Sequence, residues 1–203
     1  MPKTTRPADR IAGDLAQAVS TAPGFVPAEG GCACGTVRYR VEREPMFVHC
    51  CHCTRCQRET GGPFAHHAMV EFSAMTLLQG EPEYVRVPTD SGNRHWVIRC
   101  PQCRTAMWNE HGSRRAVTRY VRVGTLDEPA RFPPKAHIYG QSRQPWLQLT
   151  DPAAPVFDQY YDAAVTWPAA SLARYAQAKA AGAADAARAV KAGRRPARRT
   201  PPG

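Results

Sequence analysis

The sequence lacks any long hydrophobic run. No stretch of the 203-residue chain approaches the roughly 18 consecutive apolar residues of a membrane-spanning helix, so we expect no membrane segment. No repeat is sustained along the chain, which argues against a collagen-like or coiled-coil rod. The opening residues, MPKTTRPADRIAGDL, contain no apolar core and do not resemble a secretory signal. With 43% hydrophobic residues, the composition is typical of a soluble protein with one domain.

Acidic residues are scarce at the C-terminal end, which explains most of the formal net charge of +10. Residues 171–203 contain eight basic side chains and one acid, Asp185, so only +3 remains for residues 1–170. A cationic tail attracts nucleic acid, acidic membranes or acidic partners without specificity. The alternative is a solvated arm that improves solubility, and we expect nucleic-acid binding through 171–203 to be the less favoured of the two.

The composition divides the chain into three parts. Residues 1–27 are rich in Pro, Ala and Thr and are predicted to be a flexible leader, in which Arg10–Val19 can form a short helix. Residues 28–167 contain nearly all the aromatic side chains and are predicted to form the folded domain. Residues 168–203 are predicted to be an alanine-rich helix followed by a disordered basic tail from 191 onward. Because alanine buries little area, we expect this helix to add little core.

Short strands dominate the central part. In the segment 37–41 apolar side chains alternate with charged ones, which is typical of a half-buried strand. The segments 96–98, 116–123 and 137–139 are further candidates, and prolines separate many of the segments. The sequence therefore predicts a mainly β domain.

All eight cysteines lie between Cys32 and Cys103, in three groups with CxC or CxxC spacing. Such spacing without a secretory signal is typical of thiolates that hold a metal in a reducing compartment. We therefore predict a cytoplasmic protein that binds zinc.

Four cysteines make a natural structural zinc site: Cys32, Cys34, Cys100 and Cys103. Alternate residues of an extended strand lie nearly 7 Å apart, so a CxC pair on one ion needs a tight turn. Gly35 follows the pair and can adopt a positive φ there.

The remaining group provides three thiolates, from Cys51, Cys53 and Cys56, with Cys50 beside them. Three protein ligands leave the fourth zinc position for water or a substrate atom. Three thiolates and Zn²⁺ carry a net charge of −1, a combination suited to sulfur chemistry, because a thiol that reaches the ion is deprotonated. The alternative is that Cys50 or a histidine closes the site and both zinc ions are structural. Spacing alone leaves both possibilities open.

Polar residues around this group are weaker candidates. His49 and His52 flank the cysteines and are candidate acid–base groups or hydrogen-bond donors to a ligand, whereas His66 and His67 follow a Gly-Gly-Pro segment. Arg55 and Arg58 can bind a carboxylate bidentately or can be solvated charges. Arg55, Arg58 and His52 are therefore the candidate substrate contacts.

Three motifs together resemble the glutathione-dependent formaldehyde-activating enzyme family, whose domain centromere protein V shares. They are Gly31-x-Cys-x-Cys-Gly-x-Val-x-Tyr39, then Cys51-His-Cys-x-x-Cys56 with Arg58-x-x-Gly61, and then Cys100-x-x-Cys103. Further similarities are Gly124-Thr-Leu-Asp127, the stretch from Phe132 to Tyr139, and Trp146. The resemblance covers about residues 28–150.

The resemblance implies a β-rich fold similar to the Mss4-like zinc folds. It also implies two zinc ions per chain, a structural one on the set of four cysteines and a catalytic-type one on Cys51, Cys53 and Cys56. The implied activity is a carbon–sulfur lyase that condenses glutathione, the co-substrate, with formaldehyde. This chain departs from the family pattern at Gln57, where a basic residue is frequent, at Arg104, where glycine is common, and at the extra Cys50. The alternative function is a non-catalytic zinc module whose basic tail binds nucleic acid or a protein partner.

Overall fold

In the computed structural model, residues 24–89, 92, 94–112 and 116–191 are described. The predicted helix at 10–19 and the tail at 192–203 lie outside these residues. Disorder of the tail and nucleic-acid binding by it therefore stay predictions. Among the described residues, no helix has both the length and the apolar character needed to cross a bilayer.

Ten strands form two sheets in the described part of the chain, which confirms the mainly β prediction. In chain order they are β1 (Ala28–Gly31), β2 (Arg38–Val41), β3 (Phe47–Cys51), β4 (Ala65–Glu71), β5 (Met75–Gln79), β6 (Glu83–Val87), β7 (His95–Arg99), β8 (Ala106–His111), β9 (Thr118–Arg122) and β10 (Ala136–Ile138). The helices are α1 (Thr54–Thr60), α2 (Ala163–Thr166) and α3 (Ala169–Lys191), and short 3-10 turns include Gly140–Ser142. The small sheet has the order β1-β2-β5, and the large sheet has the order β10-β3-β4-β9-β8-β7-β6.

The small sheet packs on one face of the large sheet. Tyr39 and Val41 of β2 are buried while Arg38 and Arg40 are partly exposed, as the alternating pattern predicts. The buried side contacts large-sheet residues such as Trp108, whose ring meets that of Tyr39 edge to face at 5.6 Å. This interface is the larger of the two apolar cores.

The opposite face of the large sheet is covered by the C-terminal segment. Trp167 stacks on Phe47 with ring centroids 5.7 Å apart, and Leu172 and Tyr175 of α3 pack into the same core. The alanine-rich helix was expected to add little core, but these larger side chains lie at its start and anchor it.

Both cysteine groups lie at the same end of the large sheet. Neighbouring strands from β3 to β7 are antiparallel, in the order β3, β4, β9, β8 and β7. The strands β3 and β7 therefore run in the same direction and finish at the same end of the sheet. Cys51 ends β3 and Cys100 directly follows β7. Four strand spacings of about 4.8 Å separate the two groups by roughly 19 Å.

Candidate metal centres

The structure brings four sulfurs together where the two sheets meet. Their Sγ atoms all lie within 4.8 Å of one another and belong to Cys32, Cys34, Cys100 and Cys103. The CxC turn forms as predicted, because Gly35 has φ = 77° and its N–H donates to the carbonyl of Cys32 at 3.1 Å. Arg104, where the resemblance predicts glycine, adopts φ = 62° in the turn that follows Cys103. The group therefore joins the loop before β2 to the turn between β7 and β8.

Hydrogen bonds prepare two of these sulfurs for metal binding. The Thr105 hydroxyl lies 3.1 Å from the Cys103 sulfur and, with the Thr105 backbone, lowers the pKa of Cys103 to about 5. Contacts with the side chain and backbone of Thr36 lower the pKa of Cys34 as well. Because thiolates are the metal-binding form, these contacts favour a bound cation.

The second group of sulfurs lies where β3 passes into α1. Cys51 ends the strand, Cys53 is the N-cap residue of α1, and Cys56 lies in its first turn. The backbone N–H of Cys56 donates to the Cys53 sulfur at 3.3 Å, so the cap that starts the helix also turns the thiols towards one another. The three Sγ atoms lie within 4.8 Å of one another. We call this group the thiol trio.

Hydrogen bonds within the thiol trio favour the thiolate form of Cys53. Hydrogen bonds from the thiols of Cys51 and Cys56, together with the backbone N–H groups of Cys56 and Arg55, lower the pKa of Cys53. The same side-chain contacts raise the pKa of Cys56, and the contact with Cys53 raises the pKa of Cys51. A soft thiolate surrounded by two further thiols is a donor set that suits zinc.

No fourth donor joins the thiol trio at this spacing among the described residues, whether histidine, cysteine or carboxylate. Because successive side chains of a strand point to opposite faces, Cys50 faces the opposite side of β3 from Cys51. Burial raises the pKa of Cys50 to about 12. Cys51 is buried, whereas Cys53 and Cys56 are partly exposed, so solvent reaches the trio on the side of α1.

The two flanking histidines are buried rather than exposed at the trio. The Nδ1 atom of His49 lies 2.9 Å from the Tyr161 hydroxyl, and burial lowers the pKa of His49 to about 3. The Nε2 atom of His52 lies 2.9 Å from Nδ1 of His137, and burial lowers the pKa of His52 to about 4. Both imidazoles are therefore neutral near pH 7.

The other predicted side chains occupy different surroundings. His66 and His67 lie on β4, and burial lowers the pKa of both. Arg55 is partly buried, and its Nε atom is inaccessible to solvent and has no hydrogen-bond partner among the described residues. Arg58 lies in the last turn of α1 and is exposed. The structure therefore brings Arg55, but not Arg58, into a partly enclosed environment.

Gln57 is a site residue that the sequence analysis missed. Its amide nitrogen donates to the carbonyl oxygens of His52 at 2.7 Å and Ser142 at 2.8 Å, and its oxygen accepts from Gln144 at 2.6 Å. These bonds tie the start of α1 to the turn at Gly140–Ser142. Because Ser142 and Gln144 are 85 and 87 positions away, only the departure from the family pattern at Gln57 could have signalled the role.

An ion pair between α1 and β9 was also missed. Arg122 contacts Glu59, and both side chains are largely buried. The two residues are 63 positions apart in the sequence, so no local pattern relates them.

Comparisons with known proteins identify a family and two similar proteins. A Halomonas elongata protein named "Putative glutathione-dependent formaldehyde-activating enzyme" is 25% identical over 130 residues, which cover 60% of this chain and 80% of that protein. A solved structure of a Rhodobacter sphaeroides protein is 21% identical, with a TM-score of 0.36, and covers 49% of this chain and 87% of that one. The family model described as "Glutathione-dependent formaldehyde-activating enzyme" matches residues 27–142. The chain therefore belongs to the glutathione-dependent formaldehyde-activating enzyme family.

Proposed function

We propose that the chain is a zinc-dependent carbon–sulfur lyase that condenses a thiol of the glutathione type with formaldehyde or a related small aldehyde. In this reaction the sulfur–carbon bond forms while the thiol proton moves to the carbonyl oxygen, so no oxidant or reductant is needed. The reverse reaction releases the aldehyde again. The observation that carries the proposal is the thiol trio, which offers three soft ligands and lacks a fourth donor among the described residues.

The two cysteine groups are proposed to play different roles. The set of four has the full ligand number of a structural zinc site and joins segments from both sheets. The thiol trio has the ligand number of a catalytic site. A zinc ion held by Cys51, Cys53 and Cys56 supplies Lewis acidity and lowers the pKa of a thiol that reaches it.

The chain's own residues orient the reactants around the thiol trio. Burial of Cys51 at the end of β3 keeps water away from one side, and access remains past Cys53 and Cys56. Tyr139 packs in the same cluster as Cys53 and Cys56 and follows Ile138, the direct β partner of Cys51. Its hydroxyl is a hydrogen-bond donor for an aldehyde oxygen at this edge, and burial raises the pKa of Tyr139 further.

The proposed location is the cytoplasm. All eight cysteines are free, and both groups need reduced thiols to hold a metal. A compartment with a high concentration of reduced thiols preserves this state and contains a glutathione-type substrate.

The test compares two serine substitutions, one in each cysteine group. Cys53→Ser is expected to remove one zinc per chain by elemental analysis, to abolish condensation of glutathione with formaldehyde, and to preserve the far-UV circular dichroism spectrum. Cys103→Ser is expected to remove the other zinc and to lower the melting temperature markedly, because the link between the sheets is lost. Turnover that persists in a Cys53→Ser protein shown to lack its zinc would disprove the mechanism.

A further inference from the structure

A cavity of about 300 Å³ lies beside α1 at the sheet end that carries both cysteine groups. We call it the α1 cavity, and its lining includes Glu59, Thr60, Phe64, Ala65, His66 and Arg122. Its volume is at the lower end of the range for small-molecule sites, which is about 300–1,000 Å³. It is large enough for part of a small peptide, although not for a macromolecular partner.

The α1 cavity adjoins the thiol trio through two short connections. Ala65 lines the cavity and is the direct antiparallel partner of Cys51, so their Cβ atoms are about 5 Å apart. Glu59 lies three residues after Cys56 on α1, which is a rise of about 4.5 Å along the helix axis. A ligand whose sulfur reaches the trio therefore extends into this cavity within one or two residue lengths of about 3.4 Å each.

Arg122 has unused hydrogen-bonding capacity in the α1 cavity. Its side chain is 7% exposed and donates from Nη2 to Glu59. The Nε and Nη1 atoms are inaccessible to solvent and have no hydrogen-bond partner within the described residues. Buried donors without partners are rare and costly, and a guanidinium group is shaped to bind a carboxylate through two nitrogens. Arg122 therefore lines the cavity as a cation with two donors that lack partners and are shielded from solvent.

Two cations and a carboxylate lie together beside the α1 cavity. The carboxylate of Glu59 offsets the positive charge of Arg122, and Arg55 adds a second positive charge. Both arginines contribute to lowering the pKa of His95, so both lie close to this imidazole. His95 itself is neutral near pH 7, because burial lowers its pKa to about 3. These four side chains carry a net charge of about +1, and Cys53, whose charge also acts on His95, adds a negative charge on the side of the thiol trio.

We infer that Arg122 binds a carboxylate of the thiol substrate in the α1 cavity while the substrate sulfur lies at the thiol trio. The inference rests on the proposed function, since it assigns the cavity to the thiol rather than to the aldehyde. Formaldehyde has no carboxylate, whereas a glutathione-type peptide has one at each end. Arg122 is thus a specificity residue that selects peptide thiols with a free carboxylate over uncharged thiols.

The test measures binding of S-methylglutathione to the full-length zinc-loaded protein by isothermal titration calorimetry. Methylation blocks the sulfur, so the signal reports the peptide portion of the ligand. Because Arg122→Gln alone leaves Glu59 buried without a partner, the main variant is the double substitution Glu59→Gln/Arg122→Gln. Arg122→Lys keeps the charge but not the two-nitrogen geometry, and Arg86→Gln removes an exposed arginine from β6 as the matched control.

The double variant is expected to bind S-methylglutathione at least tenfold more weakly than the wild type, Arg122→Lys is expected to lie between them, and Arg86→Gln is expected to match the wild type. Esters of the two carboxylates, tested one at a time, identify the contact. The ester that blocks the carboxylate held by Arg122 should bind the wild type at least tenfold more weakly than the parent ligand. It should bind the double variant as well as the parent ligand does.

The outcomes separate this inference from the proposed function. Unchanged affinity in the well-folded double variant, or no binding by the wild type, overturns the role of Arg122. Normal condensation of glutathione with formaldehyde, with an unaltered KM in the double variant, overturns it too and leaves the proposed function intact. Binding that depends on Arg122 in a protein without condensation activity supports the carboxylate site and refutes the proposed reaction.

Discussion

Replacing His49 by glutamine should make the stability of the protein less sensitive to acid. His49 is 1% exposed, and burial lowers its pKa to about 3. In the unfolded chain the pKa of a histidine is about 6.5. Between these two values the unfolded state takes up a proton that the folded state does not, so acid favours unfolding. The stabilisation is complete above about pH 6.5 and declines as the pH falls towards 3.

The size of the effect follows from this difference in pKa. Each pH unit below about 6.5 removes about 1.4 kcal/mol of stability through His49, so about 2 kcal/mol is lost on going from about pH 7.5 to pH 5. Burial also lowers the pKa of five other histidines, so the wild type loses more stability in total; these are His52, His66, His67, His95 and His137. His49→Gln removes the part of this acid-dependent loss of stability that comes from His49.

The assay is urea unfolding followed by tryptophan fluorescence at the two pH values. His49→Gln is expected to be less stable than the wild type at about pH 7.5, because the packing around Tyr161 is disturbed, and to recover about 2 kcal/mol relative to it at about pH 5. Tyr161→Phe is the control, since it removes the hydroxyl near His49 but leaves the imidazole, and its stability offset should be the same at both pH values. Release of a metal by acid affects all three proteins alike. Parallel pH dependence of the wild type and His49→Gln would refute the reasoning.

Substitutions at three further places in the fold are each tested by the free energy of unfolding in urea. Arg174→Ala should lower the free energy of unfolding by about 3 kcal/mol, because the buried Glu71 loses two hydrogen bonds of 2.7 Å. The double substitution Glu71→Gln/Arg174→Met should recover most of this loss, and no recovery would contradict a purely electrostatic cost. Gly80→Ala should cost about 2–3 kcal/mol, since φ is 74° and a Cβ would lie 2.3 Å from the carbonyl oxygen of Thr36; a neutral effect would show that this turn relaxes freely. At Arg104, with φ = 62°, glycine should be more stable than valine by about 2 kcal/mol, and the reverse order would rule out backbone strain.

The geometry within each cysteine motif was accessible to prediction because its determinants are local, whereas the CxC and CxxC motifs of the four-cysteine set are 66 positions apart. The CxC turn needs a positive φ at Gly35, three residues after the Cys32 carbonyl that accepts its N–H, and the structure has that geometry. The strand β3 was missed, because all five of its residues are buried and no alternation of polar and apolar side chains marks it. A strand buried on both faces is marked in the sequence only by a short apolar run, and in β3 this run contains His49 and two cysteines.

The α1 cavity was not accessible to prediction, because it depends on strand register. Arg122 meets α1 only because β9 pairs with β4 so that Arg122 lies opposite His67. A shift of one residue in this pairing would turn the guanidinium to the other face of the sheet. Local propensity and spacing contain no information about that register, which the packing of both cores determines.

The parallel pairing of β10 with β3 has a consequence for biosynthesis. Ile138, the neighbour that covers Cys51, is translated about 90 residues later. At about 5–20 residues per second, the ribosome needs roughly 4–18 seconds to make that stretch. Throughout this interval Cys51 lacks the strand that covers it in the folded protein and is open to oxidants and to competing metal ions. A cell that makes this protein under oxidative stress therefore risks damaging it before its last strand has been synthesised.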